Sequence, residues 1–263
     1  MGQAIEVVSG YATNPGATIT QLTSSPGNTF TPRSFATTDK AYLLNVWTEN
    51  ATGGLLRIRS PRMHDNQQGI RLQIPPADQV QLLPLQAWQQ IYPVDPVIVE
   101  MTGGGAETDI LSALYYYPNL PGVQANLAAW TDIQPRIVNL AGVEVDIPTG
   151  GAVGQYVGQT ALNASFQNLK AGESYAILGY TVSKAFATLR ITGPDTGNLG
   201  VAGPGSTNSW LTSGWFVDLN QALGVPTIPI VQANNAAGTI LDVLDTTSAE
   251  TRTVSLILAE LSG

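Results

Sequence analysis

Apolar and polar residues alternate with a period of two along much of this chain. In "LLRIRSP", residues 55–61, Leu56 and Ile58 fall on one side and Arg57 and Arg59 on the other. In "TLRITGP", residues 188–194, Leu189 and Ile191 oppose Arg190 and Thr192. That period marks a strand with one face in a core. It predicts Leu56, Ile58, Leu189 and Ile191 as core residues and Arg57 and Arg190 as outward ones. Similar segments, separated by turn clusters such as "TGPDTG" and "AGPGSTNS", predict a first series of strands near 16–22 and at 28–37, 41–49, 54–60, 69–74, 85–92, 96–102 and 108–117. A second series is predicted at 159–167, 174–183, 186–192, 198–203, 214–220, 227–234, 238–244 and 251–260. Helix signals are scarce, so no crossover is long enough for a parallel sheet. The chain is predicted to be all-β, as two tandem eight-stranded antiparallel jelly-roll barrels. An immunoglobulin-like sandwich is the alternative.

The two series are related by an internal repeat. "YLLNVW" from Tyr42 matches "YAILGY" from Tyr175, and "LRIRSP" from Leu56 matches "LRITGP" from Leu189, both at an offset of 133. "YPVDPVIV" (92–99) and "VPTIPIVQ" (225–232) fall in the same register, with Pro93 on Pro226 and Pro96 on Pro229. "AETDILSALYYY" from Ala106 resembles "AETRTVSLILAE" from Ala249 at an offset of 143, which places an insertion around "NAAGTILDVLDTT" in the second unit. The boundary is expected in 118–136, a proline-bracketed stretch with room for one short helix. The first unit is taken as residues 1–125 and the second as 126–263. Residues 1–25 suit either an extended arm or a first strand of the barrel.

Composition narrows the function. Of 263 residues 43% are hydrophobic and 11% charged, which excludes a disordered chain. A net charge of −8, with three lysines, argues against general nucleic-acid binding. With no cysteine, disulfides, thiol catalysis and Cys-based zinc sites are excluded. No signal-peptide pattern or window of 18 apolar residues is present, and Glu6 stands where a myristoylation signal needs Ser or Thr.

Catalytic motifs are equally sparse. The one histidine, His64, lies in the turn-like "SPRMHDNQQG" and has no second histidine for a metal site. Neither G-x-S-x-G nor a P-loop occurs, and "GPGST" at 203–207 lacks the lysine. Asp242 with Asp245, and Glu107 with Asp109, are the nearest carboxylate pairs and read as turn or strand-edge acids. "MHDNQQ" and "GPDTGN" lack EF-hand spacing, and no metal ligand, cofactor or catalytic residue is assigned. "NAT" at Asn50 and "NAS" at Asn163 are read as chance glycosylation triplets. Trp47, Trp88, Trp130, Trp210 and Trp215 would suit a sugar-stacking platform, but Trp47 aligns with Tyr180 in the repeated strand and reads as packing. In Tyr115–Tyr116–Tyr117 alternation places Tyr116 opposite its two neighbours, so part of the run must face a partner or solvent. Arg57, Arg59, Arg62 and Arg71 form a basic group in an acidic chain. With Arg190 they are the candidate subunit-contact residues.

The paired "LRIRSP"/"LRITGP" strands and paired P-x-x-P-[VI]-[IV] segments give an architecture that resembles the double jelly-roll major capsid proteins of tailless icosahedral double-stranded DNA viruses with an internal membrane. The resemblance implies a non-enzymic virion protein assembled in the host cytoplasm. Its homotrimers would form pseudo-hexagonal capsomers from six similar barrels, beside other capsid proteins such as a vertex protein. It carries no catalytic residues to this chain. Without a long apolar anchor helix, contact with an inner membrane would be peripheral. Bicupin enzymes share the duplicated barrel but resemble a histidine-rich pattern absent here. A two-domain binding protein, lectin-like or from a phage tail or baseplate, is the other reading.

Overall fold

A computed structural model describes residues 2–21, 23–25, 30–33, 40–49, 53–61, 63, 68–74, 80–81, 88–92, 95–103, 108–151, 154–164, 169–245 and 249–263. The chain is mostly β, with antiparallel sheets forming two sandwich-like bodies.

In the first body one sheet runs β3 (Thr23–Ser25), β1 (Gly2–Thr13), β10 (Thr108–Leu120), β4 (Ala41–Glu49) and β7 (Val80–Gln81), with β8 (Gln89–Ile91) also on β4. The facing sheet runs β2 (Thr20–Gln21), β9 (Ile98–Met101), β5 (Gly54–Arg59) and β6 (Ile70–Ile74). In the second body the sheets are β11 (Leu127–Ala128), β17 (Ile228–Gln232), β14 (Ser174–Val182), β19 (Thr251–Leu261) and β12 (Ile137–Pro148), and then β13 (Tyr156–Ala161), β18 (Ile240–Leu244), β15 (Phe186–Thr192) and β16 (Val201–Gly205). Leaving aside the short β3, β7 and β11, both bodies have the same order. The first, eighth, third and sixth strands share one sheet, and the second, seventh, fourth and fifth share the other.

The predicted core residues are buried: Leu56, Ile58, Leu189 and Ile191 are each at most 1% exposed. Residues 2–13, expected as arm or strand, form β1, which pairs with β10 along its length. β12, its counterpart in the second body, is absent from the predicted strands. Its outward positions carry Gly142, Glu144, Asp146 and Pro148, which blur the apolar signal. The strand predicted at 214–220 is instead helix α3 (Trp215–Leu223), after the short helices α1 (Trp130–Ile133) and α2 (Ser209–Thr212). Trp215, Phe216, Leu219 and Leu223 fall at helical spacing and are all buried, and Gly224, at φ 68°, ends the helix in the left-handed conformation. Among the described residues no helix is long and apolar enough to cross a membrane.

The pairing also corrects the repeat register. Leu56 pairs with Met101, and Leu189 with Val243, so the "LRI" blocks are equivalent. Tyr115 pairs with Leu43, and its counterpart Leu258 with Ile177, so β4 and β14 correspond at an offset of 134. Tyr42 therefore matches Ala176 and Trp47 matches Thr181. A one-residue slip exchanges the faces of a strand, and Tyr180 faces opposite to Trp47. The proline blocks are not equivalent: Pro96 leads into β9, the seventh strand, whereas Pro229 lies in β17, the sixth. Pro93 lies outside the described residues. The insertion sits between β16 and β17, where residues 206–227 carry α2 and α3, and not around 235–247.

Candidate functional site

β1, β10 and β4 are buried on both faces. On one face Ala4, Val8, Leu43, Ala113, Tyr115 and Tyr117 enter the first body's core. On the other, Ile5, Val7, Leu44, Trp47, Leu114 and Tyr116 join the apolar cluster of the second body. Tyr116 thus faces opposite its neighbours. Its ring stacks with that of Tyr42, which meets Trp88 edge-on at 4.4 Å. The bodies are joined by a sheet face.

That seam is hydrogen-bonded as well as apolar. Val7 N–H donates to the carbonyl of Gly200 at 2.8 Å. The hydroxyl of Ser9 lies 2.8 Å from that of Tyr156 and 2.7 Å from that of Ser112, which in turn meets Thr188. The Trp47 indole N–H reaches Thr188 Oγ1 at 3.0 Å and the Ala187 carbonyl at 3.2 Å. A continuous line of polar groups, Tyr156–Ser9–Ser112–Thr188–Trp47, thereby crosses from β13 to β1, β10, β15 and β4, and its members satisfy one another in a water-poor place. Gly154, at φ 75°, meets the ring of Tyr11, where a Cβ would stand 2.2 Å from Cδ1. Only glycine allows that approach.

The arginines divide between two places. Arg190 of β15 donates from Nε to Asp242 Oδ1 at 2.9 Å and lies 3.7 Å over the Tyr156 ring. Burial raises the Asp242 carboxyl above the usual carboxylate range, against the pull of Arg190. Burial also pushes the Tyr156 phenol up to about 12. A cavity of about 230 Å³ at the seam is lined by Glu6, Arg33, Tyr156, Arg190, Asn198 and Gly200, among others. There Glu6 accepts from Arg33 Nε at 2.6 Å and from Tyr117 Oη at 3.2 Å.

Arg57, Arg59 and Arg71 lie together on the outward side of the first body. Arg57 pairs across β5 and β9 with Glu100, as Arg190 does across β15 and β18 with Asp242. Arg59 donates to the same carboxylate at 3.0 Å from both Nε and Nη2. Burial acts to raise the Glu100 carboxyl, but the two guanidiniums outweigh it and hold it below the usual range. Arg71 stands opposite Arg57 on β6 and is exposed. Arg62 and His64 lie outside the described residues, as do Glu107 and Asn50.

Asp242, expected as a turn or strand-edge acid, is instead 2% exposed within β18 and bound to Arg190, and sequence reasoning misses Glu100 because the proline alignment sets it against Ala233. The signal available is a second acid opposite the repeated arginine, 142 positions on. It also misses a further group at the seam. Glu49, at the end of β4, lies near Asp109 of β10 and near Asp245 and Arg252 of the second body. Burial, then the charge of Asp245, raises the Glu49 carboxyl to about 7, and its Oε2 is buried without a hydrogen bond. Arg252 is held by Asp245 Oδ2 at 2.8 and 3.1 Å and by Glu250 at 2.9 Å.

No protein-family model matches the chain, and no curated protein does. Among solved structures the likeness is weak. The PBSX exported protein XepA has a TM-score of 0.29 and 8% identity over 97% of this chain and 86% of that one. A chain of Sulfolobus Turreted Icosahedral Virus has a TM-score of 0.25 and 12% identity over 99% and 80%. A chain from a structure of the triple jelly-roll fold and turret assembly in an archaeal virus has a TM-score of 0.24 and 12% identity over 100% and 80%.

Proposed function

We propose that the chain is a non-enzymic shell-forming protein, a double jelly-roll major capsid protein whose copies form trimeric, pseudo-hexagonal capsomers. The two units are residues 1–125 and 126–263, and each is a jelly roll. The observation that carries this reading is the strand order. It occurs twice, with first, eighth, third and sixth strands facing second, seventh, fourth and fifth, which is the order of a sandwich of paired Greek keys. The seam supports it further. One body presents the outward face of its β1 sheet, and the other receives it on β13, β15 and β16. Two like units joined through unlike faces make a heterologous contact, the kind that continues into rings. A trimer of such chains offers six similar units around one axis.

The principal partner is therefore a second copy, with other shell proteins, such as a vertex protein, at the lattice edges. Size-exclusion chromatography with light scattering, followed by negative-stain microscopy, tests the reading. Trimers and near-hexagonal particles are expected. A chain that stays monomeric at every concentration overturns it. One feature favours a binding protein instead: Trp210 on α2 is 92% exposed, as a sugar-stacking residue would be. Glycan affinity lost in Trp210→Ala, in a chain that never assembles, would establish that alternative.

A further inference from the structure

Most polar groups along the seam are spent on one another, but those around its cavity are not. The cavity of about 230 Å³ has one wall from β1 of the first body and another from β15 and the loop before β16 of the second. Arg33, with a side chain 51% exposed, also lines it and connects it to solvent. Gly200 lets the loop close over the stem of Arg190, since a Cβ there would stand 2.6 Å from Arg190 Cδ.

Arg190 is fixed in place before any ligand arrives. Its Nε and Nη2 donate to the two oxygens of Asp242, and its guanidinium lies 3.7 Å over the Tyr156 ring. The other edge of the fork, Nη1 with the second hydrogen of Nη2, has no protein acceptor among the described residues. Arg33 spends Nε on Glu6 and keeps both Nη groups, while the Asn198 amide and the Thr192 hydroxyl, which line the same cavity, have no hydrogen-bond partner among the described residues. The acceptors nearby are engaged. Both oxygens of Asp242 accept from Arg190, and Glu6 accepts from Arg33 on Oε1 and from Tyr117 on Oε2. Charge in the cavity is therefore balanced, while hydrogen-bond donors are in excess.

That combination selects a ligand. A carboxylate presents two parallel acceptors to a guanidinium edge and brings a single negative charge. A phosphate dianion would set a second charge near Glu6 and Asp242 with no further cation to match it. Val7 and Leu199 line the cavity as well, and they suit an apolar body rather than a polar one. We propose that the seam cavity binds a small monocarboxylate with a short apolar body. The free edge of Arg190 holds the carboxylate, with Arg33 at the mouth and Asn198 and Thr192 as further donors. A ligand there touches both bodies, so its binding fastens one to the other whether or not copies of the chain assemble.

Isothermal titration calorimetry and thermal unfolding of the full chain with sodium hexanoate test the proposal, with hexanamide and inorganic phosphate for comparison. Hexanoate is expected to bind saturably with a Kd at or below about 1 mM, and to raise the unfolding temperature as its concentration passes Kd. Hexanamide and phosphate should do neither. Thr192→Val removes the hydroxyl at nearly constant shape, and Asn198→Gly removes the amide at a position where φ is 58°, which glycine accepts. Arg33→Gln removes the charge at the mouth and keeps a donor for Glu6. Each variant is expected to melt near the wild-type temperature without ligand and to bind hexanoate about tenfold more weakly. The proposal is overturned if the folded wild type takes up no hexanoate at about 10 mM, tenfold above that limit. It is equally overturned if hexanamide or phosphate binds as well as hexanoate, or if all three variants keep the wild-type affinity.

Discussion

β1 and β12 occupy the same place in two bodies of the same strand order, yet their outward faces are unlike. That of β1 is apolar with one serine and is covered by the second body. That of β12 places Glu144 and Asp146 in solvent beside exposed Val138 and Leu140. Topology is common to both, so it does not account for the difference. What differs is the surface each strand meets. The outward face of a duplicated strand therefore records its partner, while the inward face records only the shared core: Val8 and Val143 are equivalent, and both are buried.

The largest expected effect comes from the residue that ties the seam together. Trp47→Ala removes a fully buried indole, its two hydrogen bonds and its edge contact with Trp215 at 5.7 Å. A loss of about 3–5 kcal/mol is expected in denaturant unfolding. Thr181→Ala, at the equivalent place on the free face, should change stability by less than about 0.5 kcal/mol. Equal losses at the two positions would mean that the free face contributes as much to the folded monomer as the seam does.

Next comes the acid at the seam. Glu49 has its folded-state pKa raised to about 7 from 4.5, so over that interval the folded chain binds more protons than the unfolded one. The stability associated with Glu49 is fully present below about pH 4.5 and is lost as pH rises toward and through 7. Glu49→Gln, neutral throughout, should match the wild type near pH 4.5. At pH 8 it should exceed it by on the order of 2–3 kcal/mol. Thermal or denaturant unfolding across that range measures the difference. A variant less stable than wild type at pH 8 would show that a charged Glu49 supports the seam.

These contrasts also explain how much is legible in the sequence. The strands whose second face is polar are readable, because Leu56, Ile58, Leu189 and Ile191 alternate with polar residues. β4 and β10 are covered on both faces, so "YLLNVW" and "ILSALYYY" are nearly continuous apolar runs. Such runs carry no parity, and the alignment slips by one residue there without any loss of hydrophobic match. α3 reads as a strand because "WFVDLNQ" satisfies a two-residue period over a short window as well as a helical one. The arginine group is visible, but its partners are not. Glu100 and Asp242 reach Arg57 and Arg190 only through strand pairing, and the Tyr156–Ser9–Ser112–Thr188–Trp47 line joins residues far apart in sequence by neutral hydroxyls that no motif singles out.

The smallest effect expected within the chain is also the closest test of the comparison, because it uses the same residue type in both places. Ser112 and Ser255 are equivalent on β10 and β19. Ser112 is 1% exposed in the middle of the hydroxyl line, whereas Ser255 is half-buried on the open face. Ser112→Ala leaves Ser9 and Thr188 each short of one partner and should lower stability by about 1–2 kcal/mol. Ser255→Ala should leave monomer unfolding unchanged, since water can replace any bond it loses. If Ser255 is covered by a second copy, its substitution should act on association instead, lowering the sedimentation coefficient at a fixed concentration while the melting curve of the dilute monomer stays where it was. The same serine would then report folding in one body and assembly in the other.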